Sequence, residues 1–332
     1  MFLSKGINVV SLFDGKSSGK TACDLSGIGV DKYYAAEIDK YATQVSNALY
    51  PSIIRLGDVT KWREWNIDWS SIDLLLGGFP YQAWSMAGKQ QGDKDERGML
   101  FWTMLDIFKH VQQLNPSVKF LIENVKMKKE FEKYITHHTE QALGHVEKHL
   151  INSALVSAQN RQRYYWCNWD VPQPDDLNIM LQSVLETGLV DRDKSYALTA
   201  RYFKAGNLNR YATKASDQLI FECFGLSETC VAKFRRLGVK FITHDRLKSK
   251  VLTAGDYVKL GKYSNYLRSL SDKNKARKLT PRECFRLQTV PEHLINKILD
   301  SGVSNTQLYK IAGNGWTDEV IAHILRHSGL VQ

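Results

Sequence analysis

The sequence predicts an α/β protein, a doubly wound and mostly parallel sheet flanked by helices, with a small, mostly β domain inserted into it. Three observations predict this. Four short apolar runs in the first 125 residues alternate with segments of helical spacing. The unusual polar and glycine residues cluster where those runs end. One later segment holds the entire excess of positive charge.

The runs NVVSLF (8 to 13), YYAAEI (33 to 38), IDLLLGG (72 to 78) and VKFLIENV (118 to 125) are each too short for a helix and end in polar or glycine residues, so each reads as a buried parallel strand. Between them, KTACDLSGIG, YATQVSNALY and MLFWTMLDIFKHVQQL place apolar residues at helical spacing. Near the end, LTPRECFRLQ (279 to 288) and SNTQLYKIAGNGWTDEVIAHIL (304 to 325) return to helical patterning. A sheet wound this way binds ligands at the carboxyl ends of its strands.

With 332 residues, 43% of them hydrophobic, the chain buries a full core. No window reaches the length of a membrane span, and MFLSKGINVVSLF lacks a long apolar core and a small-residue cleavage site. An intracellular, non-membrane protein is expected: cytoplasmic, and bacterial or phage-like and nucleoid-associated. The five cysteines (Cys23, Cys167, Cys223, Cys230, Cys284) are widely spaced and form no CxxC pair, which argues against a disulfide framework and against zinc. Reduced, mostly buried thiols and no metal are expected.

Residues 191 to 275 carry 18 Lys or Arg against 8 Asp or Glu, a balance equal to the whole net charge of +10. Tyr196, Tyr202, Phe203, Tyr211, Phe234, Tyr257, Tyr263 and Tyr266 are interleaved with them. That mixture suits phosphate neutralisation and packing against bases or sugars. VPQPDD (171 to 176) marks the entrance to this segment. The expected organisation is an α/β domain over 1–185 and 276–332, interrupted by a recognition domain over 186–275.

SLFDGKSSGKTA follows the first strand and opens the first helix, where Gly15 and Gly19 let the backbone approach a ligand. It is not a phosphate loop. That motif needs four residues between its glycines; here there are three, and Asp14 would repel a triphosphate. Glu37 ends the second strand, where a carboxylate accepts from ribose hydroxyls. Asp58, in LGDV, is placed to accept from an adenine amino group or simply to cap the next helix. Their order suits an adenosyl ligand such as S-adenosylmethionine.

The ordered motifs FDGKSSG (13 to 19), AEID (36 to 39), GDV (57 to 59), GGFPYQ (77 to 82), ENV (123 to 125), QNRQR (159 to 163), LTPRECFRLQ and GNGW (313 to 316) make the chain resemble the DNA (cytosine-5)-methyltransferases over nearly its whole length. The resemblance implies a Rossmann-like S-adenosylmethionine-dependent methyltransferase fold with a target recognition domain that reads bases. It implies that Phe13, Asp14, Gly15, Gly19, Glu37, Ile38, Asp58, Val59, Pro80, Asn314, Gly315 and Trp316 surround S-adenosyl-L-methionine or S-adenosyl-L-homocysteine. Base flipping would bring a cytosine to Glu123, which bonds ring nitrogen 3, and to Arg163, which holds the carbonyl oxygen, while Arg161 orders the catalytic loop. Duplex DNA contacts would fall to Gln82, Ser85, Gln159, Arg201, Arg210, Arg235 and Arg236. The target sequence is not legible, because base-edge contacts depend on three-dimensional placement.

The pattern breaks at residue 81. The family has a cysteine after Pro80, whose thiolate adds to carbon 6 of cytosine so that carbon 5 can attack a methyl sulfonium. Here that residue is Tyr81. A phenol has a pKa near 10, so only on the order of one part in a thousand ionises at neutral pH. Phe79 also stands where the family often has a small residue. Lys16 and Lys20 lie in a turn where apolar or uncharged side chains are usual. Two cations about 4 Å apart repel by roughly 4 kcal/mol at an effective dielectric of 20, so Lys16 is expected to pair with the cofactor's methionine carboxylate or with Asp14, or to point to solvent. Three readings follow. The first is a DNA-binding, regulatory pseudoenzyme that binds double-stranded DNA and cofactor without standard methylation, alone or beside an active homologue or regulatory partner. The second is an enzyme modifying a flipped base by altered chemistry or with a modified adenosyl cofactor, whose extra carboxylate the two lysines would select. The third is a conventional methyltransferase of a restriction-modification system inactivated by substitution.

Overall fold

The computed structural model describes residues 6–80, 96–206, 211, 217–221 and 276–331. Along the chain run β1 (Ile7–Leu12), α1 (Ser18–Ser26), β2 (Val30–Ala36), α2 (Lys40–Leu49), β3 (Ile54–Arg55), β4 (Leu74–Gly77), α3 (Glu96–Leu114), β5 (Lys119–Val125), α4 (Lys129–Leu143) and β6 (Glu147–Asn152). They are followed by β7 (Gln159–Asn160), β8 (Gln162–Cys167), β9 (Ser195–Tyr196), β10 (Leu219–Phe221), β11 (Ala276–Lys278), α5 (Pro281–Leu287), α6 (Glu292–Leu299), α7 (Asn305–Asn314) and α8 (Asp318–Arg326). Two compact units result. One comprises Met1–Asn152, Gln162–Pro174 and Gly315–Gln332; the other comprises Ser153–Arg161 and Asp175–Asn314.

The first unit is the α/β sheet that the apolar runs predict. Every residue of β1 and β4 is buried, as strands covered on both faces must be. The order is β3-β2-β1-β4-β5-β8-β6. β3, β2, β1, β4 and β5 pair in parallel, and β8 adds antiparallel to β5 and to β6. The chain leaves β1 toward β2 and returns on its other side at β4, so the strand order reverses there, and the crevice at the carboxyl ends is where ligands bind in such sheets. Phe101, Met104 and Phe108 of α3 meet Leu75, Phe120 and Ile122 in the main core. Gly77 is needed for this: a Cβ there would meet the Met104 sulfur at 2.6 Å. Asp39 caps α2 by accepting from the N–H groups of Tyr41 and Ala42. α8 lies against α1 and buries Val320, Ile321, Ile324 and Leu325.

The second unit gathers α5, α6 and α7 with two short strand pairs, β7 with β9 and β10 with β11. α5 starts in a capping box, Thr280 accepting from the Glu283 N–H, with Pro281 behind it. The basic segment's aromatics behave differently from expectation here. Tyr202 and Tyr211 are buried, and Arg192 lies 4.0 Å from the Tyr196 ring centre and 5.1 Å from that of Tyr211 while pairing with Asp191. Tyr211 donates to Asp191 at 2.6 Å. These rings build the unit's interior, and burial keeps them from stacking on a base. Phe234, Tyr257, Tyr263 and Tyr266 lie outside the described residues.

Cys23, Cys167 and Cys284 are free and buried; Cys223 and Cys230 lie outside the described residues. Among the described residues no helix is long and apolar enough to cross a membrane.

Candidate active site

The turn after β1 is built from backbone conformations that side chains resist. Phe13, Gly15 and Ser17 have φ of 58°, 60° and 67°. A non-glycine residue held there costs on the order of 1–3 kcal/mol, so surrounding contacts must fix it. They do. Asp14 accepts from the Ser17 hydroxyl at 2.5 Å and from the Tyr33 hydroxyl at 2.8 Å. Ser17 in turn meets Ser46, which receives the Arg55 guanidinium at 2.6 Å. Burial pushes the Asp14 carboxyl above its ordinary pKa, and the hydrogen bonds from its neighbours oppose that rise. The network ties the turn to β2, α2 and β3.

The two glycines of this turn have different surroundings. A Cβ on Gly15 would meet nothing within 4 Å, whereas one on Gly19 would strike the Tyr33 hydroxyl and Leu76 at 2.5 Å. Gly15 opens to space; Gly19 makes room for the tyrosine that holds Asp14. The Gly15 N–H donates to Glu37 at 2.9 Å, and the other Glu37 oxygen accepts from Ile38 and Asp39. Burial raises the Glu37 pKa, opposed by these three backbone donors. Ile38 beside it is 77% exposed, a large apolar side chain left uncovered at a strand end.

Asp58 caps the 3-10 turn that follows, accepting from Thr60 N–H and hydroxyl, both at 2.9 Å, and these bonds lower its pKa. Val59 is buried in the core.

The second cluster lies at the ends of β4, β5 and β8. In the antiparallel register Glu123 faces Tyr165 and Val125 faces Arg163, so Glu123 and Arg163 are diagonal neighbours on one face. Their ion pair spans 3.1 Å between Arg163 Nε and Glu123 Oε1. The Trp316 indole N–H donates to Glu123 Oε2 at 3.1 Å. That ring lies on the backbone of Gly78, where a Cβ would meet indole atoms at 2.9 to 3.3 Å. Asn124 donates to the Phe79 carbonyl at 3.1 Å, fixing the strand-to-loop exit before Pro80. Phe79 turns into the core against Phe101, ring centres 5.0 Å apart.

Neighbouring strands lie about 4.8 Å apart, so Glu37 on β2 and Glu123 on β5, separated by β1 and β4, sit on the order of 15 Å apart along one edge. The first unit thus brings Phe13, Asp14, Gly15, Glu37, Pro80, Glu123, Arg163 and Trp316 to one end of one sheet. Sequence reasoning missed Asn124, Tyr33 and the Trp316–Glu123 bond. ENV contains Asn124, but its partner is 45 positions away.

In the second unit Arg161 is buried and donates to the carbonyls of Leu198 (3.0 Å) and Gly313 (3.2 Å). Gly313 lets the end of α7 pack against the Thr199 backbone, since a Cβ there would lie 2.3 Å from the Thr199 carbonyl. Gln159 is buried, donating to the Leu287 carbonyl and accepting from the Leu198 N–H. That is an interior role, whereas Arg201 is exposed and Asn314 is exposed at the end of α7. Gly315 is half-buried. Tyr81, Gln82, Ser85, Arg210, Arg235 and Arg236 lie outside the described residues.

Lys16 neither pairs with Asp14 nor points to solvent. It is buried, and its ammonium pairs with both carboxylate oxygens of Asp318 at the start of α8, at 3.0 and 2.8 Å. Lys20 pairs with Asp24 one helical turn on and lies 5.2 Å from the Tyr50 ring centre. Lys16 is thus matched within the interior, while Lys20 is paired in an exposed contact along α1.

The comparisons with known proteins agree with this architecture. The family model described as C-5 cytosine-specific DNA methylase matches residues 7–329. The type II methyltransferase M1.ScrFI of Lactococcus lactis subsp. cremoris is 30% identical over 304 residues, covering 86% of this chain and 68% of that protein. M.HhaI of Haemophilus parahaemolyticus is 28% identical over 348 residues, covering 98% and 94%. Among solved structures, a Spodoptera frugiperda DNMT2 mutant shares the fold with a TM-score of 0.63 at 17% identity, covering 98% of this chain and all of that one. The matched span, the parallel sheet and the strand-end motifs agree, and the chain belongs to the C-5 cytosine-specific DNA methylase family.

Proposed function

We propose that this protein binds S-adenosylmethionine and double-stranded DNA, receives an everted base at Glu123, and does not carry out standard cytosine 5-methylation. The observation that carries the reading is Tyr81 at the position of the family's nucleophilic cysteine.

The residues at the strand ends fit the cofactor. Gly15 leaves open space beside a strained turn, Glu37 offers an oxygen holding one of the two hydrogen bonds it can accept, and Ile38 offers an uncovered apolar face for a purine. Asp58 or Pro80 would complete the adenine side, and the cofactor, when bound, supplies an electrophilic methyl group. Glu123, pinned between Arg163 and Trp316, would accept from the base, and Arg163 would hold its carbonyl oxygen. Arg161 would brace the chain that carries the catalytic loop. None of these residues supplies a thiolate. A phenol at 81 is almost wholly protonated at neutral pH and is a harder nucleophile than sulfur, so addition to carbon 6 does not start.

The reading assigns residues 1–185 and 276–332 to cofactor and catalytic framework and 186–275 to target recognition. Its DNA contacts are Gln82, Ser85, Arg201, Arg210, Arg235 and Arg236, while Gln159 supports the interior. Such a protein would regulate or sequester DNA sites, alone or beside an active homologue. The relatives' names carry a restriction-modification setting to it. Mass spectrometry of nucleosides from mixed-sequence duplex, incubated with the protein and S-adenosylmethionine, tests this. No 5-methylcytosine is expected while the duplex is retained in a salt-sensitive complex; robust 5-methylcytosine refutes the reading.

A further inference from the structure

Lys16 follows directly on Gly15, the residue that opens to space in the proposed cofactor turn, yet its side chain is wholly buried. A buried ammonium needs a counter-charge. The nearest acid in sequence, Asp14, is engaged by Ser17 and Tyr33, and Lys16 takes Asp318, 302 positions away, with two hydrogen bonds. Asp318 is also fully buried. Burial raises its pKa and the Lys16 charge opposes that rise, which is the mutual dependence expected of such a pair. The other charged groups on these elements, Lys20 with Asp24 and Glu319 with Arg326, are matched to each other.

S-adenosylmethionine carries a positive sulfonium; its demethylated product, S-adenosylhomocysteine, carries a neutral thioether and is otherwise the same ligand. An unmatched ammonium beside the turn would oppose the first and leave the second unaffected. We propose that Asp318 is a specificity-determining residue for the charge of the adenosyl ligand: by neutralising Lys16 it lets a site with a lysine in its wall accept a sulfonium. The assignment rests on the reading that this turn binds the adenosyl cofactor. It also explains how the family's cofactor turn tolerates a cation here, with a matching acid placed on α8, the helix that packs on α1.

Calorimetric titration of the full chain with each ligand tests this. Asp318→Asn is expected to weaken S-adenosylmethionine relative to S-adenosylhomocysteine on the order of 10-fold. Lys16→Met is expected to shift the preference the opposite way. The double variant Lys16→Met/Asp318→Asn should return to the wild-type ratio. Retained binding of the neutral ligand reports that the site is folded, and if one single variant does not fold, the other decides by the sign of its shift. Equal losses for both ligands, or an unmoved ratio, overturn the proposal and leave a purely structural pair. Wild-type protein that binds neither ligand would instead refute the cofactor reading itself.

Discussion

In the turn after β1, Lys16 stands where the family has an apolar or uncharged side chain, and Asp318 matches its charge from the far end of the chain. After β4, the sequence has Tyr81 where the resemblance implies the family's cysteine, and the three described cysteines are buried in α1, β8 and α5. Burial pushes the thiols of Cys23 and Cys167 up to about 12, far from the reactive range. The first departure is compensated within the fold, whereas among the described residues no exposed thiol stands in for the second. On the function proposed above, the chain would keep its ligands while losing the standard reaction.

The largest expected effect sharpens the compensated side of this contrast. Removing one partner of a fully buried ion pair costs about 3–5 kcal/mol, whereas replacing both by apolar residues of similar volume is close to neutral. Urea unfolding of Lys16→Met, Asp318→Leu and the double variant should show strongly non-additive losses. Additive losses would break the claim that Lys16 and Asp318 form one unit. Next in size is Gly78→Ala. Its Cβ would lie 2.9 Å from the Trp316 indole nitrogen, an overpacking expected to cost about 1–3 kcal/mol. It should also dislodge the donor from Glu123, read out as weaker retention of duplex carrying a mismatched base.

Asp14 gives a pH test of the turn. Burial raises its pKa above the ordinary value of 3.8. The folded state thus favours the protonated form more than the unfolded chain does. Its stabilisation is complete below the ordinary pKa and is lost as pH rises through the raised one, with a slope of at most about 1.4 kcal/mol per pH unit. Thermal melts of wild type and Asp14→Asn between about pH 4 and 7 should converge at the alkaline end, or the variant should overtake. Smallest is Trp316→Phe, which keeps the ring and deletes the donor to Glu123 and should cost about 1 kcal/mol.

The central sheet was legible because β1, β4 and β5 each carry an apolar run long enough for a buried strand and too short for a helix. The antiparallel β8–β6 edge was not, since β6, with Glu147, Lys148 and His149, is half polar and alternates in exposure. Strand-end residues were legible by position: Gly15 and Glu37 meet as neighbouring strand ends should. Partners across the chain were not. Nothing local in KSSGKT points to Asp318, and GNGW gives no hint that its indole reaches Glu123, 193 positions away. Tyr202 and Tyr211 misled for a related reason, because aromatics amid basic residues look alike in sequence whether they line a surface or a core.

The most direct test of the central claim is transfer of labelled methyl from S-adenosylmethionine to duplex DNA by wild type and by Tyr81→Cys under identical conditions. Absence of label with tyrosine at 81 and its appearance in 5-methylcytosine with the cysteine is the predicted result. Equal labelling by both proteins would contradict the account.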